Sequence, residues 1–509
     1  MKIQINKNEF WWGISASRGT ELPFGSDSEL ELSINKAAGG SDQFSPLLLS
    51  SDGRFICGNV PFSVKVSSGV ITTEPESADG RIKISDGHKN LRGAYLAAMR
   101  ESFPFDGELP DEDFFRVPQY NTWIELATEQ TTENILRYAH GIIDHGLPAG
   151  VLMIDGGWQE DYGTFEFNRR KVPDPKAMID ELHSLGFKVM VWVSPIVASA
   201  GTQYKMIRDK GFLCRDKNGE IAIRKWWSGF SAVLDFTNPD AVEWYHGQLR
   251  FLMDEYGIDG FKFDAGDEYF YSDDDKLAIP APARVQTKYF NEVGVKYKLN
   301  EFRAAYDFGG RAIVSRLHDK NHTWNDHGLE TLIPNTLAQG LLGYAYCCPD
   351  MVGGGEINCF TGKKELDEEL FVRWAQANAL MGMMQMSAAP WRVLSEKNAA
   401  LVLDAIKLHA KFGGKFLALA KNAAATGEPI TRHMEYVFPH KGFAKVNDQF
   451  MLGNEILAAP VLNKGQESRK VVLPEGRWEA DDGVVFDGGQ EIVVRTPIER
   501  IPYFVKISD

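Results

Sequence analysis

A chain of 509 residues is too long for one ordinary hydrophobic core, so its length predicts roughly two to four domains. Apolar residues make up 44% of the chain and charged residues 25%, which is typical of globular proteins. The formal net charge of −15 argues against nucleic acid and anionic membrane surfaces as partners, because both repel an acidic protein.

Membrane and targeting signals do not stand out in the sequence. Residues 1–7 lack the apolar stretch of a signal peptide, and apolar runs such as 379–384 fall far short of the roughly 20 residues that span a bilayer. The five cysteines include no CxxC pair, and the adjacent Cys347 and Cys348 suit neither a zinc site nor an ordinary disulfide. We therefore expect a cytoplasmic protein, or one from which a secretory leader has been trimmed.

The first part of the chain has the pattern of short β-strands. Runs such as 63–66 and 80–84 alternate apolar and polar residues, and Gly, Ser and Asp turns separate them without a helical period. Prolines and an acidic patch at 111–113 indicate a linker. This pattern predicts an N-terminal β-sandwich over residues 1–115.

From Gln119 onward, strands alternate with helices, as in an α/β fold. The predicted strands are 120–126, 150–154, 187–193, 260–263, 312–315, a short one before Trp324, 342–347 and 383–386. Strand–helix alternation over this length predicts a (β/α)8 TIM barrel over residues 116–430, with a loop excursion at about 197–237. Short strands return after a helical stretch at 395–424, and they predict a small C-terminal β-sandwich over 431–509.

The stretch 259–267, Asp-Gly-Phe-Lys-Phe-Asp-Ala-Gly-Asp, is the most informative in the chain. A short strand ends there in Asp264, and catalytic groups of a parallel barrel sit where strands end and loops begin. Alternate residues share a strand face, so Lys262 would point inward with Asp264 and lower its pKa, as a nucleophile requires. A structural ion pair inside the barrel is one alternative, and a Schiff-base lysine at position 262 is another.

A second acid, Asp326, lies in the loop-like segment Trp-Asn-Asp-His-Gly at 324–328. Neighbouring tryptophan and histidine could desolvate this carboxyl and raise its pKa for proton donation. The alternative is a surface turn, because Asn-Asp-His-Gly is favourable turn chemistry. Two acids from different strand ends are the minimum for a retaining glycosidase, in which the carboxyl groups lie about 5–5.5 Å apart.

Several further residues could bind a sugar. Asp155 ends a strand before two glycines and could bond to hydroxyl groups, or it could merely cap the loop. Trp123 or Trp158 could stack on the apolar face of a ring. Trp227 lies in the polar excursion, where a large exposed aromatic is unusual unless something covers it. Arg316 ends a predicted strand and could bind a hydroxyl, orient an acid or form a structural salt bridge.

Other chemistries lack their motifs. The sequence contains no HxH pair, HExxH motif or comparable metal-ligand spacing, so we expect no metal. It also contains no GxSxG elbow, Walker loop or GxGxxG, so serine hydrolase, nucleotide and dinucleotide chemistries are not supported. We expect no cofactor.

Taken together, these segments resemble glycoside hydrolase family 31. The resemblance rests on the strand that ends at Asp264, on the stretch 168–186 and on the segment 227–239. Matching motifs in the C-terminal part are found at 427–430, 448–453, 459–462 and 473–478. The N-terminal match is weaker. Within the family, Lys-Phe-Asp-Ala-Gly at 262–266 and Pro-Asp-Met-Val-Gly-Gly at 349–354 look most like the branch of the myogenesis-regulating glycosidase, an α-galactosidase.

The resemblance implies that Asp264 is the nucleophile and Asp326 the acid/base. The candidate substrate-binding residues are Trp123, Asp155, Trp227, Lys262 and Arg316. Two departures from the family weigh against the common specificity for α-glucose. Pro349 replaces the histidine of the usual His-Asp-Ile-Gly-Gly, and Gly156 or Gly157 replaces the second acid of the usual Ile-Asp-Asp-Trp.

We therefore expect an exo-acting retaining α-glycosidase that favours α-galactosides, with α-glucosides and α-xylosides as alternative substrates. The alternative from another class is a carbohydrate-binding protein without catalysis. The expected partner is a small carbohydrate or glycoconjugate, with no nucleic acid and no membrane. The oligomeric state does not follow from the sequence.

Overall fold

The computed structural model describes residues 1–32, 42–362 and 364–508. The N-terminal part consists mainly of short β-strands. They are β1 (Lys2–Gln4), β2 (Trp11–Ser15), β3 (Leu30–Leu32), β4 (Gln43–Ser50), β5 (Phe55–Gly58), β6 (Phe62–Ser67), β7 (Val70–Pro75) and β8 (Ile82–Ser85). One sheet has the order β1-β7-β6-β3, and a second contains β4, β5 and β8 with β2 paired to β4. Alternate residues such as Val64 and Val66 are buried in the core. This two-sheet arrangement agrees with the predicted N-terminal β-sandwich.

One helix in this region was missed, because the sequence pattern there predicted strands throughout. Helix α1 (Leu91–Ser102) begins at Asn90, whose side chain accepts a hydrogen bond from the Gly93 N–H. Its apolar face, which includes Tyr95 and Met99, is buried. The one-turn helix α2 (Asp113–Arg116) then leads into the barrel.

The central part of the chain alternates strands and helices. Its strands are β9 (Gln119–Asn121), β10 (Val151–Ile154), β11 (Lys188–Val193), β12 (Ile196–Val197), β13 (Ile223–Trp226), β14 (Gly229–Val233), β15 (Gly260–Phe263), β16 (Asn300–Phe302), β17 (Ala305–Tyr306), β18 (Val314–Arg316), β19 (Cys347–Cys348) and β20 (Gln385–Met386). Its helices are α3 (Trp123–Leu126), α4 (Thr132–Asp144), α5 (Pro175–Ser184), α6 (Tyr204–Asp209), α7 (Pro239–Phe251), α8 (Ala283–Gly294), α9 (Leu332–Leu341), α10 (Glu368–Asn378), α11 (Pro390–Val393) and α12 (Glu396–Thr426).

Parallel pairing joins the barrel strands in the order β19-β18-β16-β15-β11-β10-β9-β20. Between the two edge strands, the Val352 N–H donates to the Gln385 carbonyl at 2.8 Å, which closes the sheet on itself. The predicted (β/α)8 barrel is therefore confirmed. Helices α5 and α7 have prolines at their first turns, and Asp174 and Asn238 are their N-caps.

Three strand predictions were wrong in detail. The strand predicted at 342–347 shares only Cys347 with β19, because 342–346 form a turn and irregular backbone after α9. The first barrel strand stops at Asn121, because Trp123 already starts a helical turn. No strand directly precedes Trp324 in the described part of the chain, and the fifth barrel strand is instead β16. Asn300 and Glu301 of this strand are both polar and fully buried, and Glu301 lies on the inward face beside Lys262, so the strand lacks the apolar alternation on which the prediction depended.

The excursion and the C-terminal part add sheets to the barrel. Strands β12, β14 and β13 form a small antiparallel sheet within the predicted excursion. The C-terminal elements are β21 (Thr431–Arg432), α13 (Met434–Val437), β22 (Phe450–Leu452), β23 (Ile456–Ala458), β24 (Ser468–Leu473), β25 (Arg477–Ala480), β26 (Val485–Asp487), β27 (Gln490–Arg495) and β28 (Tyr503–Ser508). They form a six-stranded and a two-stranded sheet around a separate apolar cluster, as predicted for a C-terminal β-domain.

Two general features follow from the described ranges. None of the helices found within 1–32, 42–362 and 364–508 is long and apolar enough to cross a bilayer. All five cysteines are buried and unpaired, including the adjacent Cys347 and Cys348.

The adjacent glycines of α12 provide a test of how closely this helix packs on α2. A Cβ at Gly413 would lie 2.1 Å from the Arg116 carbonyl oxygen, whereas one at Gly414 would meet nothing within 4 Å. We expect Gly413→Ala to destabilise the fold by about 1–3 kcal/mol through overpacking. Gly414→Ala should stabilise it by up to about 1 kcal/mol, because alanine favours the helix. Denaturant unfolding measures both, and equal effects would contradict the packing described.

Candidate active site

A cavity of about 400 Å³ opens at the carboxyl ends of the barrel strands. Its lining residues are Trp123, Thr128, Asp155, Gly156, Gly157, Tyr162, Trp192, Trp227, Ser228, Lys262, Asp264, Arg303 and Asp319. A larger depression of about 560 Å³ lies on the C-terminal β-domain, away from these strand ends. The smaller cavity is the candidate site, because it occupies the catalytic position of a parallel barrel and combines aromatic walls with charged groups.

Asp264 reaches the cavity because it directly follows β15. Lys262, two residues earlier, is buried on the same inner side of the barrel. Phe261 and Phe263 point outward instead, and the Phe263 ring stacks on Phe302 with centroids 4.7 Å apart. The strand alternation inferred from the sequence is therefore confirmed.

Three groups hold the Asp264 carboxylate. The Trp192 indole N–H donates to Oδ2 at 2.8 Å, and the Ala265 backbone N–H donates to Oδ1 at 2.8 Å. Arg303 Nε lies 3.2 Å from Oδ1. Burial by itself raises the pKa of Asp264, but Arg303 and then Lys262 outweigh it and hold that pKa well below its usual range. The carboxylate is therefore ionised and aimed at the cavity.

Arg303 follows β16 and connects Asp264 to the cavity wall. Its Nη2 donates to the buried Asp267, and its guanidinium lies 5.0 Å from the centre of the Trp227 ring. Burial raises the pKa of Asp267 to about 6 in spite of this arginine. Arg303 was missed by the sequence analysis because the strand that precedes it was not recognised.

Lys262 bonds directly to Asp155 rather than to Asp264. Its Nζ donates to Asp155 Oδ2 at 2.6 Å, and both side chains are almost completely buried. The Gly156 N–H occupies the other Asp155 oxygen at 2.8 Å. Lys262 thus acts on the pKa of Asp264 through space, while its hydrogen bond fixes the acid that ends β10.

The two candidate tryptophans, Trp123 and Trp227, line the cavity. Trp123 is half-buried, and its indole N–H donates to the Gly355 carbonyl at 3.2 Å. Trp227 sits at the tip of the β13–β14 hairpin with 51% of its surface exposed. Both present ring surface to the space in front of Asp264.

Asp326 does not line the cavity. It is exposed, has a φ of +53°, and donates its backbone N–H to Glu330 Oε1 at 2.8 Å. This is the surface turn that the sequence analysis had kept as the alternative, and the assignment of Asp326 as acid/base is corrected accordingly. The acid that does line the cavity on this side is Asp319, seven residues earlier.

Arg316 lies behind Asp319 and is fully buried rather than exposed to the cavity. Its Nη1 donates to Asp319 Oδ1 at 2.8 Å and to Asp350 Oδ1 at 2.7 Å. Its Nε lies 3.4 Å from Glu301. The predicted direct contact of Arg316 with a sugar is therefore not supported, and the arginine orients an acid instead.

The two acids that share Arg316 differ in environment. Burial raises the pKa of Asp350 to about 6 although Arg316 opposes it. At Asp319 burial also raises the pKa, but Arg316, Arg303 and Lys262 together lower it below its usual value. The Asp319 side chain is 44% exposed, so anything bound in the cavity would change its solvation.

Two further residues of the site were missed by the sequence analysis. Finding Asp319 required the correct end of β18, whereas Trp192 could have been found by strand parity within the predicted strand 187–193. Asp319 lies three residues after β18, closer to a strand end than Asp326. Trp192 lies within β11, where it faces inward. No group of three or more His, Cys, Asp or Glu side chains in the described ranges could hold a metal ion.

The chain matches two family models. Residues 119–412 match the model described as the glycosyl hydrolases family 31 TIM-barrel domain, and residues 427–508 match the glycosyl hydrolase family 31 C-terminal domain. Together they cover the barrel and the C-terminal β-domain.

Curated relatives extend these matches. The chain is 31% identical over 421 residues to the myogenesis-regulating glycosidase of Mus musculus, a match that covers 81% of this chain and 59% of that protein. It is 26% identical to the alpha-xylosidase XylQ of Lactiplantibacillus pentosus, over 84% of this chain and 59% of that protein. Alpha-glucosidase 2 of Bacillus thermoamyloliquefaciens is 25% identical over 74% of this chain and 51% of its own length. The chain thus spans between half and three fifths of these relatives.

Solved structures share the fold. A GH31 alpha-xylosidase from a soil metagenome, complexed with xylose, superposes with a TM-score of 0.84 at 22% identity, over 99% of this chain and 79% of that one. A GH31 dextranase of Flavobacterium johnsoniae, complexed with glucose, gives 0.83 at 20% identity, over 99% and 66% of the two chains.

The Lys262–Asp155 pair can be tested through stability. Lys262→Met removes the cation and leaves the Asp155 carboxylate buried without its partner, which we expect to cost about 3–5 kcal/mol of unfolding free energy. Lys83→Met is the matched control, because Lys83 pairs with Glu101 at the surface with about half of each side chain exposed. The control should change stability by about 1 kcal/mol or less. Equally small losses in both variants would show that the buried pair is not needed.

Proposed function

The chain belongs to glycoside hydrolase family 31, and from this premise we propose that it is an exo-acting retaining α-glycosidase. The observation that carries the proposal is the ionised Asp264, which Trp192, Arg303 and the Ala265 N–H hold at the cavity. A retaining glycosidase needs such a carboxylate as its nucleophile. The buried Lys262–Asp155 pair closes the inner end of the cavity, which suits a single terminal sugar.

Asp319 is the acid/base in this proposal. Three carboxyl groups line the cavity within the described part of the chain, and Asp155 is engaged by Lys262 while Asp264 is the nucleophile. Asp319 remains, and its half-exposed position suits a group that meets the leaving oxygen and later water. A bound sugar would strip water from Asp319 and raise its pKa, so that the carboxyl holds a proton when the bond breaks.

The reaction then follows the double-displacement scheme. Asp264 Oδ attacks the anomeric carbon while Asp319 donates its proton to the leaving oxygen, which gives a glycosyl ester of Asp264 and the free aglycone. Ester formation removes the negative charge of Asp264. Asp319, now an anion, takes a proton from water as the water attacks the anomeric carbon and releases the sugar with its α configuration.

We favour an α-galactoside as substrate, with α-glucosides and α-xylosides as alternatives. The resemblance to the branch of the myogenesis-regulating glycosidase supports the first choice, whereas other relatives are named alpha-xylosidase and alpha-glucosidase. Gly156 also supports a departure from α-glucose. A Cβ there would meet only the Trp192 indole, at 3.8 Å, so the cavity has room where many family members carry a second acid. The alternative from another class is a carbohydrate-binding protein without turnover.

Three single variants test the roles of the acids. Asp264→Asn should abolish turnover of a chromogenic α-glycoside, because the amide cannot act as nucleophile. Asp319→Asn should lower kcat by about 10²–10⁴-fold for substrates that need proton donation. Asp326→Asn is the matched control and should retain activity, since this residue is exposed and outside the cavity. Loss of activity in Asp326→Asn with an active Asp319→Asn would reverse the assignment of the acid/base.

A substrate panel tests the specificity. We expect the highest kcat/KM on nitrophenyl α-galactoside compared with the α-glucoside and α-xyloside, and NMR should show the α anomer of the sugar as the first product. A higher kcat/KM on either alternative would replace the galactoside assignment. Binding of sugars without turnover of any member would favour the carbohydrate-binding protein, and a β anomer as first product would exclude the retaining mechanism.

A further inference from the structure

We propose that Asp42, in the N-terminal β-domain, is a positioning residue for the proton-donating carboxyl of Asp319 and acts through His318. The proposal rests on the proposed function, in which Asp319 is the acid/base. Asp42 immediately precedes β4, whereas Asp319 follows a barrel strand. The inference therefore assigns part of the catalytic geometry to a domain outside the barrel.

Asp42 binds the residue before Asp319 at two points. Its Oδ1 accepts the His318 backbone N–H at 2.7 Å, and its Oδ2 accepts from the imidazole Nδ1 at 2.8 Å. The Asp42 side chain is fully buried, and its charge raises the pKa of His318. One carboxylate thus fixes both the backbone and the side chain of His318.

Gln43, the next residue, holds the same region from the same side. Its Nε2 donates to the Arg316 carbonyl at 3.0 Å and to the Arg303 carbonyl at 2.6 Å. Gln339 donates to Gln43 Oε1 at 2.6 Å and to the Ser315 carbonyl at 2.8 Å. The start of β4 therefore anchors the backbone on both sides of the site, next to Arg303 and next to Asp319.

The loop is also fixed from the barrel side. Asp350 Oδ2 accepts the Lys320 N–H at 2.9 Å, so residues 316, 318 and 320 each have an anchored backbone group. Asp319 itself lies between these anchors on a segment without regular secondary structure. Its carboxyl direction depends on them, and a displacement of about 1 Å can cost about 10²-fold in rate.

Asp42 is not among the residues that line the cavity, so its effect must pass through the loop. A residue that positions the proton donor has a distinctive signature. Its loss should slow the cleavage of bonds to poor leaving groups, which need the proton, more than the cleavage of bonds to good leaving groups, which need it little. A residue that only supports the fold should slow both alike.

The test compares the Asp42→Ala and His318→Ala variants of the full chain on two α-glycosides. Both substrates carry the sugar that the substrate panel shows to be hydrolysed fastest. One substrate carries an alkyl aglycone and the other a 2,4-dinitrophenyl aglycone. We expect kcat/KM on the alkyl glycoside to fall about 10- to 100-fold and kcat/KM on the dinitrophenyl glycoside to fall less than about threefold. The ratio kcat/KM is compared because it reports the step that forms the glycosyl ester and excludes the later step, in which Asp319 acts as a base.

Glu9→Ala is the matched control, because Glu9 is also a buried carboxylate of the N-terminal domain but pairs there with Arg54 at 2.9 Å. It should show no dependence on the leaving group. Equal losses on both substrates, or no loss, in the two test variants would overturn the proposal. If Asp42→Ala does not fold, His318→Ala decides by the same criterion, since its side chain is partly exposed.

Asp319→Asn separates this proposal from the proposed function. If Asp319→Asn shows the leaving-group dependence and the two test variants do not, Asp319 keeps its role and Asp42 loses the role proposed here. If Asp319→Asn shows no such dependence, the acid/base assignment fails, and the proposal for Asp42 fails with it.

Discussion

The site depends on neutralising carboxylates that the barrel buries at its mouth. An unpaired buried charge is costly, and each of these carboxylates therefore lies next to a lysine or an arginine. Lys262 pairs with Asp155, Arg303 lies against Asp264, and Arg316 divides its bonds between two further acids. Such pairs add little net stability. Their consequence is chemical, because the same cations keep Asp264 ionised in a place where burial alone would protonate it.

The barrel does not complete this arrangement alone. Strand β17, which follows Arg303, pairs with β4 of the N-terminal domain, and the side chains at the start of β4 bond to the loops after β16 and β18. Those loops carry Arg303 and Asp319. Because loops lack a ladder of backbone hydrogen bonds, outside contacts must set their direction. The N-terminal domain is therefore a structural part of the site.

The strand that precedes Asp264 shows why part of the site could be predicted from the sequence. The period of two in a strand puts Lys262 and Asp264 on one face whatever the rest of the chain does. Asp155 ends an apolar strand and was found for the same reason. Asp326 was chosen because of its neighbours in the sequence, and those residue types are found both beside cavities and in surface turns. The boundaries at residues 115 and 430 stay predictions.

The sequence by itself determined the barrel, the flanking β-domains and the acids that directly end regular strands, because periodicity and turn chemistry are local properties. Only the tertiary structure decided that Asp319 rather than Asp326 reaches the cavity, and that Arg303 and Arg316 serve different acids. These choices depend on contacts between residues far apart in the chain, such as Asp42 with His318. A polar residue inside a barrel, such as Glu301 of β16, also obeys no apolar period, because a partner on a distant strand satisfies it: Gln385 of β20 donates to the Glu301 carboxylate at 2.7 Å.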